Sequence, residues 1–211
     1  MTSIMSSKKS DKRGRPRSFD PDKILDKALI LFRQNGYLGT SYSDLYAATG
    51  LTKPSLYAAF GNKEDTFLAA LDRYIATSIR PGEDILANEK DPREAVQKLL
   101  VAIVQGLTAK GTPPGCMIAA NAACADAADV PDAIRTALSS AGKITPNAIR
   151  ARLKSARTEQ LPPYLNADQL ADYFDMVVAG LSALAKQGAP ASQLLSAVET
   201  AMSFWVSSTN T

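Results

Sequence analysis

Histidine is absent from all 211 residues. Without it neither a Ser-His-Asp nor a Cys-His catalytic pair can be assembled, and no imidazole can hold a metal. Cysteine is nearly absent as well. Cys116 and Cys124 are the only two, too few for a four-thiolate metal site within one chain. These absences argue against an ordinary hydrolase and predict no catalytic residue, no metal and no cofactor. Long apolar runs are missing too, and none reaches the roughly 18 residues that mark a membrane span. The opening stretch MTSIMSSKKSDKRGRPRSFD lacks the apolar core of a secretory signal. A cytoplasmic location is expected, with no membrane partner and with both thiols reduced.

What is present is a chain that is 45% hydrophobic, enough to bury a real core. Its net charge of +3 is unevenly spread. Residues 1–80 carry 13 Lys/Arg against 8 Asp/Glu, whereas residues 81–211 carry 11 against 13. Lys8, Lys9, Lys12, Arg13, Arg15 and Arg17 crowd one short arm. Such an arm favours polyanions through release of counterions from phosphates, and it also reads as a disordered solvated tail.

Helical signals then follow one another. Asp20 can cap, Pro21 stands at the first helical position, and apolar residues from Ile24 to Phe32 recur at helical spacing until Gly36. Ser41 to Asp44 has the form of a capping box, and Gly50 suits a left-handed helix end. A short helix is expected over Lys53–Phe60, and Asn62 caps a fourth. Pro81, Gly82 and Pro92 mark a break, placing a domain boundary near residue 80. Beyond it the spacing predicts a helix from Pro92, a short Ala-rich helix from Cys116 to about Ala125, and a long helix from Pro131 to about Thr158. Two more are expected over 167–187 and 191–207. No strand pattern competes. The expected fold is all-α with about nine helices: an N-terminal three-helix helix-turn-helix domain (19–80) after a disordered arm (1–18), then a larger helical ligand-binding and dimerisation domain (81–211).

The chemistry is carried by helices two and three. Their tight connection, ATGLTK (48–53), is the helix-turn-helix pattern, whose second helix enters the major groove of duplex DNA. Lys53 can reach a base edge or a phosphate. Ser55 permits close approach, Tyr57 offers a hydroxyl at phosphate distance, and Ala58 and Ala59 do not clash. Lys63 stands where helix-terminal amides also attract phosphate. Leu56 and Phe60 face inward.

The segment FDPDKILDKALILFRQNGYLGTSYSDLYAATGLTKPSLYAAFGNKEDTFLAAL (19–71) resembles the DNA-binding domain of the TetR family of bacterial transcriptional repressors. The likeness runs through Gly36-Tyr37, Thr40-Ser41, Asp44-Leu45, Gly50, Ser55-Leu56-Tyr57, Phe60 and Lys63-Glu64. It implies double-stranded DNA as partner, contacted by Thr40, Ser41, Lys53, Ser55, Tyr57 and Lys63. Pro54, Ala58 and Ala59 depart from residues common at those positions. RGRPR (13–17) is similar to the minor-groove core of an AT-hook, which adds Arg15 as a DNA contact. A solubilising tail is the plainer reading of the same residues.

The resemblance further implies a homodimer, paired through residues 167–207, on a palindromic operator. It also implies a small effector in the larger domain. Mostly apolar walls with few polar anchors suit a hydrophobic or aromatic molecule. The expected lining is Ile103, Leu107, Met117, Asn121, Ile134, Leu138, Tyr173, Phe174 and Val177. Asn121 is a buried amide that needs either backbone or ligand partners. Cys116, near a helix start, reads as an inert thiol or as an electrophile sensor. Arg150, Arg152, Lys154 and Arg157 read as an anion site or as a solvated face. Three functions compete: a ligand-released repressor, a Cys116-based sensor, and an architectural DNA binder driven by the arm. Deleting residues 1–18 separates the first from the last. For a repressor, duplex affinity measured by fluorescence anisotropy falls but sequence preference survives. For an architectural binder, binding is lost.

Overall fold

A computed structural model describes residues 19–122 and 124–205. Arg15, with the rest of the arm, lies outside the described residues, as do residues 206 and 207 of the last expected helix. Among the described residues the chain forms nine helical runs and no strand. α1 is Pro21–Asn35, α2 is Tyr42–Thr49 and α3 is Lys53–Phe60. α4 runs through Lys63–Tyr74, a π-helical turn at Ile75–Ile79, and Arg80–Asn88. α5 is Pro92–Leu107 and α6 is Met117–Ala122. α7 comprises Asp132–Gly142 and Ile144–Lys154, joined at Lys143. α8 is Ala167–Lys186 and α9 is Ala191–Met202.

The caps explain most of the boundaries. The Asp20 side chain accepts from the Asp22 amide at the start of α1. Ser41 with Asp44, and Asn62 with Asp65, form reciprocal capping boxes at α2 and α4. Each satisfies amides that the first helical turn leaves unpaired. The Ser41 amide and hydroxyl hold the Asp44 carboxyl below its ordinary pKa. Gly50 ends α2 in the left-handed conformation, with φ of 75°, which few other residues adopt without strain.

Several expectations about boundaries fail. The helical run does not stop at Pro81–Gly82. Pro81 stands in the first turn of the second α segment of α4, where its missing N–H costs little. Gly82 is there for close approach and not as a breaker: a Cβ at this position would lie 2.7 Å from Leu99 Cδ1 on α5. Further on, the helix expected to reach Thr158 ends at Lys154, and a 3-10 turn follows over Thr158–Gln160. The Ala-rich helix likewise ends at Ala122.

Two apolar cores result. One joins Ile24, Phe32, Leu45, Leu56, Phe67 and Leu71 of α1–α4 to Met117, Ile134 and Leu138 of α6 and α7. The other gathers Leu86, Val96, Leu100, Ile149, Leu153, Leu170, Phe174, Leu194, Val198 and Trp205. The first half of α7 thus packs beneath the N-terminal helices, while its second half belongs to the larger bundle. In the first core Phe67 meets Phe32 and Tyr37 edge-on, with ring centroids 4.9 and 5.4 Å away. Phe67→Ala is expected to cost about 3–5 kcal/mol, read as a shift of the urea unfolding midpoint.

Candidate nucleic-acid interface and adjoining cavities

α3 presents two unlike faces. Leu56 is fully buried, whereas Lys53, Ser55 and Ala58 are exposed and Tyr57 is 61% exposed. Thr52 caps the helix and shares a hydrogen bond with Ser55, 2.9 Å between hydroxyl oxygens. The far end is fixed from α2, where the Tyr42 hydroxyl donates to the Gly61 carbonyl at 2.7 Å. Burial, followed by Tyr57 and Asp65, pushes the Tyr42 pKa up. α3 therefore stands rigidly mounted with a small, nearly uncharged outer face, a shape that a groove can close on.

The other predicted contacts divide. Ser41 is exposed at the start of α2. Lys63 is half-buried, its ammonium 4.1 Å from the Tyr37 ring centroid, and burial lowers its pKa. Thr40 does not reach the surface. Its side chain is fully buried and its hydroxyl donates to the Gly36 carbonyl at 2.7 Å. Gly36 ends α1 with carbonyls to satisfy, and a threonine four residues on is placed to do so and not to face DNA.

Behind α3, the end of α1 is held by three side chains. Arg33 is buried and donates from Nε to the Gly115 carbonyl at 2.6 Å and from Nη2 to that of Gly106 at 2.9 Å. Asn121 accepts from the Tyr37 amide at 2.7 Å and donates to the carbonyls of Met117 and Phe32 at 2.8 and 3.3 Å. Lys186 donates to the carbonyls of Arg33 and Gln34 at 3.1 and 3.3 Å. Asn121 is thereby a structural amide, satisfied by backbone. Arg33 and Lys186 escaped the sequence reading. The one trace of Arg33 is an arginine directly after Phe32 at the end of an apolar stripe.

α1 and α4 are also bridged by Arg73, which meets Asp26 at 2.5 Å and Asp22 at 3.0 Å. The Asp26 hydrogen bond, more than any other cause, holds the Arg73 pKa above its ordinary value.

Two cavities adjoin this junction. One, of about 450 Å³, lies between residues 34–38 and α6, α7 and α8, and includes Asn121, Ile134, Leu138 and Lys186 in its walls. The other, of about 270 Å³, lies against α4 at Tyr74, Ser78 and Ile79, and includes Ile103, Leu107 and Asp175. Cys116, Ala119, Ala179 and Ser182 line both. The predicted lining thus splits: Ile103 and Leu107 face one cavity, Asn121, Ile134 and Leu138 the other. Met117 is buried in the first core.

Tyr173, Phe174 and Val177 line neither cavity. They pack into the second core, where the Tyr173 hydroxyl donates to the Ala201 carbonyl at 3.2 Å and Phe174 lies against Trp205. An apolar stripe on α8 looks the same from sequence whether a core or a cavity faces it. The flank at 175, 178, 179 and 182 borders the cavities instead. Three of the four basic residues read as an anion site are also spoken for. Arg150 pairs with Asp168 and Asp172 at 2.6 and 2.5 Å, Lys154 pairs with Asp168 at 2.9 Å, and Arg152 donates to the carbonyls of Glu89 and Lys90. Cys116 is half-buried and receives the Tyr74 hydroxyl at 3.4 Å, while Cys124 is exposed. Burial above all raises the Tyr74 pKa.

Residues 24–70 match the model of bacterial regulatory proteins of the tetR family. The chain is 36% identical over 196 residues to the transcriptional repressor ComR of Escherichia coli (strain K12), covering 92% of each. The chain belongs to the TetR family. The TetR fold extends through the larger domain. The TetR regulator CifR, solved as a cysteine-substituted variant on a 26-bp double-stranded operator, is 34% identical, with a TM-score of 0.82, 92% of this chain and 100% of that one being covered. A TetR regulator from Chloroflexus aurantiacus is 28% identical with a TM-score of 0.73, covering 87% of this chain and 92% of that one. As a TetR member the protein is a transcriptional regulator and not an enzyme. Among the described residues no helix is long and apolar enough to cross a membrane.

The geometry of α3 yields a direct expectation for DNA binding. Lys53→Met weakens binding to all duplexes alike and lowers the salt slope by about one counterion. Tyr57→Phe weakens binding without moving the unfolding midpoint, since the hydroxyl is exposed. Salt titrations by anisotropy, beside urea melts, check both.

Proposed function

We propose that the protein is a dimeric repressor that binds a palindromic operator and is released from it by a small hydrophobic or aromatic effector. Lys53, Ser55, Tyr57, Ser41 and Lys63 are the DNA contacts in this reading. Residues 19–80 form the reading domain, and 81–211 the domain that dimerises and senses. The observation that carries it is the position of the smaller cavity, whose walls include Tyr74, Ser78 and Ile79 of α4. α4 is the one continuous rod between the α1–α3 unit and the larger bundle. An occupant that prefers one setting of this rod biases the spacing of the two reading helices, by no more than its differential affinity. That CifR was solved on operator DNA supports the same reading.

The dimer reading rests on α8, whose Met176 is 67% and Leu184 37% exposed, apolar surface that a second copy would cover. Two reading helices related by a two-fold axis suit half-sites roughly 34–36 Å apart, or a multiple.

A second reading makes Cys116 the sensor. It is favoured by the placement of this half-buried thiol on the wall shared by both cavities, with the Tyr74 hydroxyl on its sulfur. Cys116→Ser separates the two: response to an apolar effector survives it, and response to an oxidant or electrophile does not.

Met176→Asp with Leu184→Asp is expected to give a monomer by sedimentation and to reduce affinity for the protein's own upstream DNA more than tenfold, taken as about 1.4 kcal/mol. A dimer that persists overturns the placement of the interface on α8, and a monomer that binds the symmetric site as well as wild type overturns the dimeric-repressor reading.

A further inference from the structure

The larger cavity is a different kind of site from the smaller. One wall is the end of α1 and the turn after it, residues 34–38; the facing walls come from α6, α7 and α8. Any occupant therefore touches the reading unit and the larger bundle at once. The two cavities also differ in charge. Asp175 is the one formally charged residue lining the smaller, and Lys186 the one lining the larger.

Lys186 has one donor to spare. An ammonium has three N–H donors, and two of them go to the carbonyls of Arg33 and Gln34. No carboxylate pairs with it among the described residues. Of the rest of the lining, Leu38, Val130, Ile134 and Leu138 give an apolar face, and Gln34, Asn35, Asn121 and Ser182 are polar but uncharged. A volume of about 450 Å³ falls within the range of small-molecule sites.

We infer that this junction is a second ligand site, which takes a small amphipathic anion. Its carboxylate or similar head meets the remaining N–H of Lys186, and its apolar body lies on Leu38, Ile134 and Leu138. The site does not depend on the effector reading of the smaller cavity. Because the occupant is bound by both parts, it favours their docked arrangement. It is an input that acts on the end of α1 directly rather than along α4.

The probes are octanoate, octan-1-ol and octylammonium, which share one chain and differ in head charge. Calorimetry on the full-length protein is expected to show octanoate binding about tenfold tighter than octanol, the scale of one partly solvated charge-assisted hydrogen bond. Octylammonium binds weakest. In Lys186→Met the preference for octanoate over octanol falls to about onefold, and in Lys186→Arg it is kept. Ala120→Trp, which fills this cavity alone, abolishes octanoate binding while cooperative thermal unfolding is retained. Hydrogen exchange of residues 34–38 slows with octanoate bound. Equal binding of octanoate and octanol, a preference unchanged in Lys186→Met, or no binding of either at millimolar concentration overturns the site. Binding with unchanged or faster exchange at 34–38 overturns its coupling to α1.

Discussion

The attachment of the end of α1 to the larger bundle is the constraint on which the rest depends. Arg33 is a buried cation whose partners are carbonyl oxygens rather than a carboxylate. Burying such a charge is expensive unless every donor is placed. The Gly106 and Gly115 carbonyls belong to the end of α5 and the loop after it. That loop therefore has to sit against α1 for the guanidinium to be tolerated. Asn121 and Lys186 close the same joint from α6 and α8. The three side chains reach one short stretch of backbone from three directions. The orientation of the reading unit is thus a property of polar geometry as much as of apolar packing.

α4 supplies the other route between the two parts. Its π turn and Pro81 are neighbours in sequence. Proline removes one donor from the helical ladder, and a π turn widens the ladder by one residue. Placed together, they disturb the rod at one point, where Ile79 meets the smaller cavity. Just beyond, Gly82 lets α5 approach closely. The rod is consequently firm at its far end and irregular where it borders the cavity.

Much of this was legible in the residues. Asp20, Ser41, Gly50 and Asn62 announce the helix ends because capping is local chemistry. The outer face of α3 was legible for the same reason: its spacing separates Leu56 from Ser55 and Tyr57. Most of what failed depends on contacts far along the chain, Thr40 being the local exception. Thr40 looked like a DNA contact because nothing in the sequence says that its hydroxyl turns back to Gly36. Tyr173 and Phe174 looked like pocket walls because periodicity reports burial, not what lies opposite. Pro81 and Gly82 looked like a break because a close helix crossing and a helix stop use the same residues. Arg33 and Lys186 were invisible because their partners are backbone carbonyls far along the chain, which carry no residue identity.

The mounting of α3 has one more consequence. Its supports are a hydroxyl from α2, a threonine cap and one buried leucine. Of these, only the threonine cap touches the outward side, through Ser55. Lys53, Tyr57 and Ala58 are exposed, so exchanging them costs folding little, and the outer face of α3 can vary while the scaffold beneath stays unchanged. Substitutions on that face therefore need no compensating change inside.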